Sequence, residues 1–164
     1  MRLFPDIEFS SHNLLQAELI SLGLVAEDGR GCYLEREELP LACSHWVHAN
    51  VYPLLDRGEA AVSEVEFTCR LRAFMRSPPE PLIVVNHPGD KFLLQVALTG
   101  FRLPRSALAG CGPIPAMRWQ VEDSAELVAR IERWFEPRPA ARRHHALTDA
   151  RALRNAWVAM YEDG

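Results

Sequence analysis

The segment Arg2–Phe9 constrains the fold most, because it has the pattern of a core strand yet carries two acidic residues. Side chains alternate faces along a strand, so Asp6 and Glu8 point to one side while Ile7 and Phe9 point to the other. Two neighbouring carboxylates repel each other and raise each other's pKa unless a positive charge lies between them. A divalent cation would remove this repulsion, since hard cations bind carboxylate oxygens. The alternative is an edge strand with a solvated acidic face.

Length and composition describe an ordinary globular protein. The chain has 164 residues, 48% of them hydrophobic, which is enough for a real core, and we predict a single domain over residues 1–164. No apolar run has the length of a membrane span, and the N-terminus lacks a signal-peptide pattern, so we predict a cytoplasmic protein without membrane contact. The net charge of −4 argues against binding nucleic acid by charge alone.

The cysteines are widely spaced and form no C-x-x-C pair. They are Cys32, Cys43, Cys69 and Cys111. This pattern, in a chain without a secretion signal, predicts neither disulfide bonds nor a structural zinc site.

The hydrophobic pattern predicts a mixed α/β architecture. Residues 2–9, 18–26 and 32–35 have strand character, and the Asp-Gly pair before the third is typical of a hairpin turn. A continuous apolar run at residues 81–86 suits a strand buried on both faces. The other predicted elements are helices beginning near residues 44, 63, 90, 124 and 145, a helix end at residues 77–79, a loop at 100–115, a short strand at 117–121 and a linker at 136–143. This order predicts a mixed central sheet, with three antiparallel strands first and parallel strands afterwards, flanked by helices.

Acidic residues recur at two further positions. Asp90 follows the buried strand, and ligands of open α/β sheets gather beyond the carboxyl ends of strands. Asp149 shares the apolar face of the last helix, where a carboxylate is costly unless it is paired or binds a metal. Taken singly, Asp90 has an alternative as a helix cap and Asp149 as a partner of a nearby arginine. Taken together with Asp6 and Glu8, they are better explained as one site.

Three motifs resemble those of the DEDDh group of 3′–5′ exonucleases, which have a ribonuclease H-like fold. The Asp-x-Glu motif of that family is here Asp6-Ile7-Glu8, on the first strand. The Asn-x-x-x-Asp motif is here Asn86-His87-Pro88-Gly89-Asp90, after the buried strand. The His-x-x-x-x-Asp-Ala motif is here His144-His145-Ala146-Leu147-Thr148-Asp149-Ala150. Within the group, the chain looks most similar to the small bacterial 3′–5′ exoribonucleases described from mycobacteria.

The resemblance implies metal-dependent hydrolysis of phosphodiester bonds at single-stranded 3′ ends, with RNA preferred. Two Mg²⁺ or Mn²⁺ ions would clamp the attacking and leaving oxygens, and their charge would balance the carboxylates that hold them. The implied metal ligands are Asp6, Glu8, Asp90 and Asp149.

A histidine would be the general base, since the ordinary imidazole pKa of about 6.5 suits proton transfer near neutral pH. His144 has the family register, provided that it lies in the loop before the last helix. His145, four residues before Asp149, would instead share the helical face of Asp149. We predict that His144 is the base and that His145 is a solvent-exposed or phosphate-contacting neighbour.

Further residues are candidate contacts to nucleic acid. Phe9 either stacks on the last base or belongs to the core. Asn86 opens the second motif, and Arg142 and Arg143 precede the histidines, where they would contact phosphates. Pro5 departs from the family pattern and predicts an edge or irregular strand at that point, because proline donates no ladder hydrogen bond.

Two other functions are compatible with the same motifs. One is a DNA 3′–5′ exonuclease, and the other is a non-catalytic nucleic-acid-binding protein, which the presence of all four acids and the histidine opposes. Members of this family often form homodimers, and Trp46, Trp134 and Trp157 are candidates either for such an interface or for the core.

Overall fold

The computed structural model describes residues 1–77, 79–138 and 141–161. Pro78, part of the predicted helix end, and residues 139–140 of the predicted linker lie outside these ranges. Within them the strands are β1 Arg2–Phe9, β2 Leu19–Ala26, β3 Gly31–Arg36, β4 Ala61–Val62, β5 Leu82–Val85 and β6 Arg118–Val121. The α-helices are α1 His45–Asn50, α2 Glu64–Met75, α3 Pro88–Thr99, α4 Ala125–Phe135 and α5 Ala146–Tyr161, and 3-10 helices span Tyr52–Leu54, Gly58–Ala60 and Arg105–Cys111. None of these helices is both long and apolar enough to cross a bilayer.

The strands form one sheet in the order β4-β3-β2-β1-β5-β6. Strands β1 and β2 are antiparallel, and so are β2 and β3. Strand β4 runs parallel to β3, β5 runs parallel to β1, and β6 runs parallel to β5. The hairpin between β2 and β3 turns at Asp28-Gly29, where Gly29 has a φ of 92° that costs glycine little. The predicted mixed sheet is therefore confirmed.

Helices cover both faces of the sheet. On one face, α2 and α3 pack over a core cluster that includes Leu22, Phe67 and Leu93. On the other face, α4 and α5 pack over a second cluster that includes Val84 and Leu127. Each fully buried side chain of this size contributes roughly 1.5–3 kcal/mol of transfer free energy, so both helical layers are firmly attached to the sheet.

The alternation of side chains along β1 follows the prediction. Leu3 and Ile7 belong to the core cluster under α2 and α3, and Phe4 belongs to the cluster under α4 and α5. Because faces alternate, Asp6 and Glu8 continue the side of Phe4, toward α4 and α5.

The prediction that Pro5 marks an edge strand is wrong. β1 lies in the interior of the sheet between β2 and β5, and Pro5 pairs in register with Leu24 of β2. β1 pairs with β5 through Arg2 and Leu3, which precede the proline. The irregularity of β1 instead falls between Glu8 and Phe9, where the register to β2 shifts. Such shifts re-aim side chains and are common beside active sites.

Serine side chains begin three of the helices. Ser44 accepts a hydrogen bond from Val47 N at the start of α1, and Ser63 accepts one from Glu66 N at the start of α2. Ser124 caps α4 in the same way. Each cap satisfies a backbone N–H that would otherwise lack a helical partner, typically for about 1 kcal/mol.

The prediction that the cysteines form no disulfide is wrong for one pair. Cys69 of α2 and Cys111 are disulfide-bonded, although 42 residues separate them in the chain. Cys111 ends the 3-10 helix Arg105–Cys111, inside the segment predicted as loop, and that helix packs against α2. Spacing in the sequence does not show this packing. Cys32 and Cys43 are free thiols.

Candidate active site

Three elements bring the predicted acids together. Asp6 and Glu8 lie on β1, Asp90 lies in the first turn of α3 directly after β5, and Asp149 lies in the first turn of α5. The strands β1 and β5 are parallel neighbours, so their carboxyl ends share one edge of the sheet. All four acids, named here the acidic cluster, line one cleft of about 290 Å³ together with His144.

The start of α5 reaches the cluster because β2 carries a glycine beneath it. A Cβ on Gly23 would overlap the backbone of Ala146 and Leu147. Gly23 is the register partner of Asp6, so the close approach lies directly beside the acidic residues of β1. The missing side chain thus lets the first turn of α5 rest on the sheet with Asp149 facing the cleft.

Three side chains of the cleft lie at metal-ligand separations. One ligand atom from each of Glu8, His144 and Asp149 lies within 4.8 Å of the other two. Asp6 and Asp90 line the same cleft beside this group. Carboxylate oxygens are ligands that suit Mg²⁺ and Mn²⁺, whereas an imidazole nitrogen suits softer ions such as Zn²⁺.

Burial and mutual repulsion perturb the titration of the acids. Burial, assisted by the charge of Asp149, raises the pKa of Glu8 to about 8. Burial also raises the pKa of Asp149 to about 6, although a hydrogen bond from the backbone N–H of His144 opposes the rise. Both carboxyl groups therefore resist ionisation in the metal-free protein.

The other two acids behave in the same way. Burial, and then the charges of Asp90, Asp149 and Glu8, hold the pKa of Asp6 well above its ordinary range. Burial and the charge of Glu8 do the same to the pKa of Asp90. A cluster that opposes its own negative charge is relieved by a bound cation, so these residues fit a divalent metal centre.

His144 lies in the loop before α5, as its predicted role requires. Its backbone N–H donates to Asp149 Oδ2 at 2.8 Å. Its ring meets that of Trp46 edge to face, with 4.8 Å between the centroids. Burial and the charge of Arg143 lower the pKa of His144, which favours the neutral imidazole.

The prediction that His145 is a solvent or phosphate neighbour is wrong. Only 4% of His145 is exposed, and its Nε2 lies 3.3 Å from Asp56 Oδ2, away from the cleft. Its ring stacks on Tyr33 at 4.4 Å. Helical phase alone favoured His145 over His144 for the site, and the left-handed turn at His144, with a φ of 66°, removes that argument.

Three of the four candidate nucleic-acid contacts line the cleft, and the fourth does not. Phe9, Asn86 and Arg143 line the cleft. Phe9 also packs against the core cluster under α2 and α3, so the two alternatives for this residue are compatible. Arg143 is ion-paired with Glu132 of α4 at the rim. Arg142 lies outside the cleft lining and pairs with Asp56 at 2.7 Å.

Two histidines of the cleft escaped the sequence analysis. His12, in the turn after β1, lines the cleft. His87 lines it as well, caps α3 by accepting a hydrogen bond from Gly89 N at 3.1 Å, and stacks on Phe9. Asp90 is therefore not the cap of α3. The signal for His87 was present, since it stands inside the second motif, whereas His12 has no motif around it.

The fold is ribonuclease H-like, as the resemblance of the motifs implied. No family model and no curated protein matches the sequence. A structure of exonuclease I is similar with a TM-score of 0.63 and 13% identity, over 96% of this chain and 40% of that chain. The zinc-bound complex of E. coli exonuclease I with single-stranded DNA is similar with a TM-score of 0.59 and 12% identity, over 98% of this chain and 40% of that chain. The chain thus spans about 40% of the length of these neighbours.

Proposed function

We propose that residues 1–164 form a metal-dependent 3′–5′ exonuclease that hydrolyses phosphodiester bonds at single-stranded 3′ ends, with RNA preferred. One observation carries the proposal: the acidic cluster and His144, which come from β1, α3 and the start of α5, line a single cleft. The similarity of the fold to exonuclease I supports an exonuclease.

The acidic cluster would hold two divalent ions, Mg²⁺ or Mn²⁺. Such ions neutralise the charge that develops on a phosphodiester and lower the pKa of bound water. Asp6 and Glu8 of β1, Asp90 of α3 and Asp149 of α5 would hold these ions in the cleft. In the metal-free protein these groups offer no positive charge to a phosphate, so binding of nucleic acid would depend on the ions.

His144 would accept the proton of the attacking water. Its lowered pKa favours the neutral imidazole, and the residue lines the same cleft as Glu8 and Asp149. Its position at ligand distance from both carboxylates also suits direct metal ligation, and either role needs the neutral ring. Phe9 would offer a face for the last base, and Arg143 a positive charge for a phosphate.

Two substrates compete within this proposal. Only the resemblance to the small bacterial exoribonucleases carries the preference for RNA, whereas the complex of E. coli exonuclease I with single-stranded DNA favours DNA. The 2′-hydroxyl is the group by which a site distinguishes them. A homodimer remains compatible with the proposal, with the half-exposed Trp46 available for a contact.

Short labelled RNA and DNA oligonucleotides, free or blocked at the 3′ end, test the proposal directly. We expect stepwise loss of nucleotides from free 3′ ends with Mg²⁺ or Mn²⁺, and none with chelator or a blocked end. Asp6→Asn should abolish the activity and keep the fold. Activity unchanged by Asp6→Asn would exclude this site, and binding without cleavage under all conditions would favour a non-catalytic nucleic-acid-binding protein.

A further inference from the structure

His144 is held in an uncommon backbone conformation. Its φ of 66° lies in the left-handed region, which side chains other than glycine rarely adopt. Such a conformation costs on the order of 1–3 kcal/mol and persists only where surrounding contacts over-determine it. The hydrogen bond from its N–H to Asp149 is one of those contacts. Further contacts are made by the residues on either side of His144.

A single carboxylate outside the cleft contacts both sides of His144. One oxygen of Asp56 accepts hydrogen bonds from Nη1 and Nη2 of Arg142, at 2.8 Å and 2.7 Å. The other oxygen lies 3.3 Å from Nε2 of His145. Asp56 is thus joined to the residue two before His144 and to the residue that follows it. These contacts span 86 and 89 residues of sequence.

Asp56 is itself anchored to the sheet. Its backbone N–H donates to Glu35 Oε1 at 2.6 Å, and that of Arg57 donates to Glu35 Oε2 at 3.0 Å. Glu35 lies on β3 and is fully buried. Tyr33, two residues earlier on the same face, donates to Glu35 at 2.7 Å and stacks on the ring of His145. The segment that carries Asp56 is therefore fixed by the same strand that supports His145.

We propose that Asp56 is a positioning residue of the nuclease site, which aims His144 into the cleft by holding Arg142 and His145 on either side of it. The catalytic part of this inference rests on the proposed function. The ion pair of Asp56 with Arg142 is about 44% and 43% exposed, so it contributes little to global stability. Its main effect is to keep the loop that carries His144 ordered. A displacement of a catalytic group by about 1 Å costs roughly 100-fold in rate.

Substitution of Asp56 separates positioning from stability. Asp56→Ala should lower kcat about 10- to 100-fold and change KM less than about threefold. Asp56→Asn keeps an acceptor for Arg142 and can donate to the other tautomer of a neutral His145, so kcat should recover to within about fivefold of the wild type. Asp28→Ala is the matched control, because Asp28 pairs with Arg30 at 2.8 Å with similar exposure, at the β2–β3 turn. It should leave both constants unchanged.

Hydrogen–deuterium exchange gives a readout that needs no activity. In metal-free protein, the amide of His144 should exchange at least about tenfold faster in Asp56→Ala and at the wild-type rate in Asp28→Ala. Unchanged exchange at His144, or unchanged kcat despite faster exchange, would overturn the positioning role. If the His144 amide exchanges faster in Asp56→Ala but the wild-type protein cleaves no nucleic acid, the proposed function is refuted. The role of Asp56 in holding His144 would then still be supported. If Asp56→Ala does not fold, Asp56→Ser carries the same test.

Discussion

Replacing Glu8 with glutamine should stabilise the metal-free protein at neutral pH. Burial and Asp149 raise the pKa of Glu8 from 4.5 to about 8, so the folded protein binds a proton that the unfolded chain has already released. The contribution of Glu8 to stability therefore falls as the pH rises from 4.5 to about 8, and is constant outside that window. Glutamine resembles the protonated acid and does not titrate.

The size of the effect follows from the same shift. pH 7 lies about 2.5 units above the ordinary pKa of a glutamate side chain, and each unit corresponds to about 1.4 kcal/mol. The cost is thus about 3 kcal/mol for an isolated group. Because Asp149 titrates in the same range and relaxes part of the repulsion, we expect Glu8→Gln to raise the free energy of unfolding by about 2–3 kcal/mol at pH 7. Below pH 4.5 the gain should vanish.

Urea denaturation with chelator present, at pH 7 and pH 4, measures this difference. Glu66→Gln is the matched control, since Glu66 is an exposed partner of Arg70 and its loss should change stability by less than about 1 kcal/mol. A Glu8→Gln protein that is no more stable than the wild type at pH 7, or one whose gain persists at pH 4, would refute the assignment of Glu8 to a buried, repulsive cluster.

Three further predictions concern the metal, the packing of α5 and the histidine. Mg²⁺ should raise the melting temperature of the wild type more at pH 8 than at pH 5, because protons compete for the acidic cluster; a shift independent of pH, measured by thermal denaturation, would contradict this. Gly23→Ala should destabilise the fold by at least about 1–3 kcal/mol, since the new Cβ would overlap the backbone of Ala146, whereas Gly110→Ala meets open space and serves as the control. Equal unfolding free energies for the two variants would show that α5 does not rest on β2 as described. His144→Ala should lower kcat about 100- to 10,000-fold while far-UV circular dichroism stays unchanged, and a rate within tenfold of the wild type would exclude it as the base.

Local rules were sufficient for most of the fold. The period of two along β1 separated the core side chains from Asp6 and Glu8. The predicted helix starts near residues 44, 63 and 124 agree with the observed serine caps, because both signals depend on residues close in the chain. The mixed directions of the strands followed from the same patterns together with short connections. The motif residues of the site were likewise visible in the sequence, through their resemblance to the motifs of a known family.

The sequence by itself determined the longer strands, the approximate helix starts, and the four acids and His144 that line the cleft. The tertiary structure alone decided the Cys69–Cys111 disulfide, the interior place of β1, and the burial of His145 against Asp56. Each of these depends on which distant segments pack together, and side-chain contacts across 42 or 89 residues leave no periodic trace in the chain. The tertiary structure also decided that His144 lines the cleft and that His145 does not. His144 has a left-handed backbone conformation before α5, so helical phase does not predict where its side chain points.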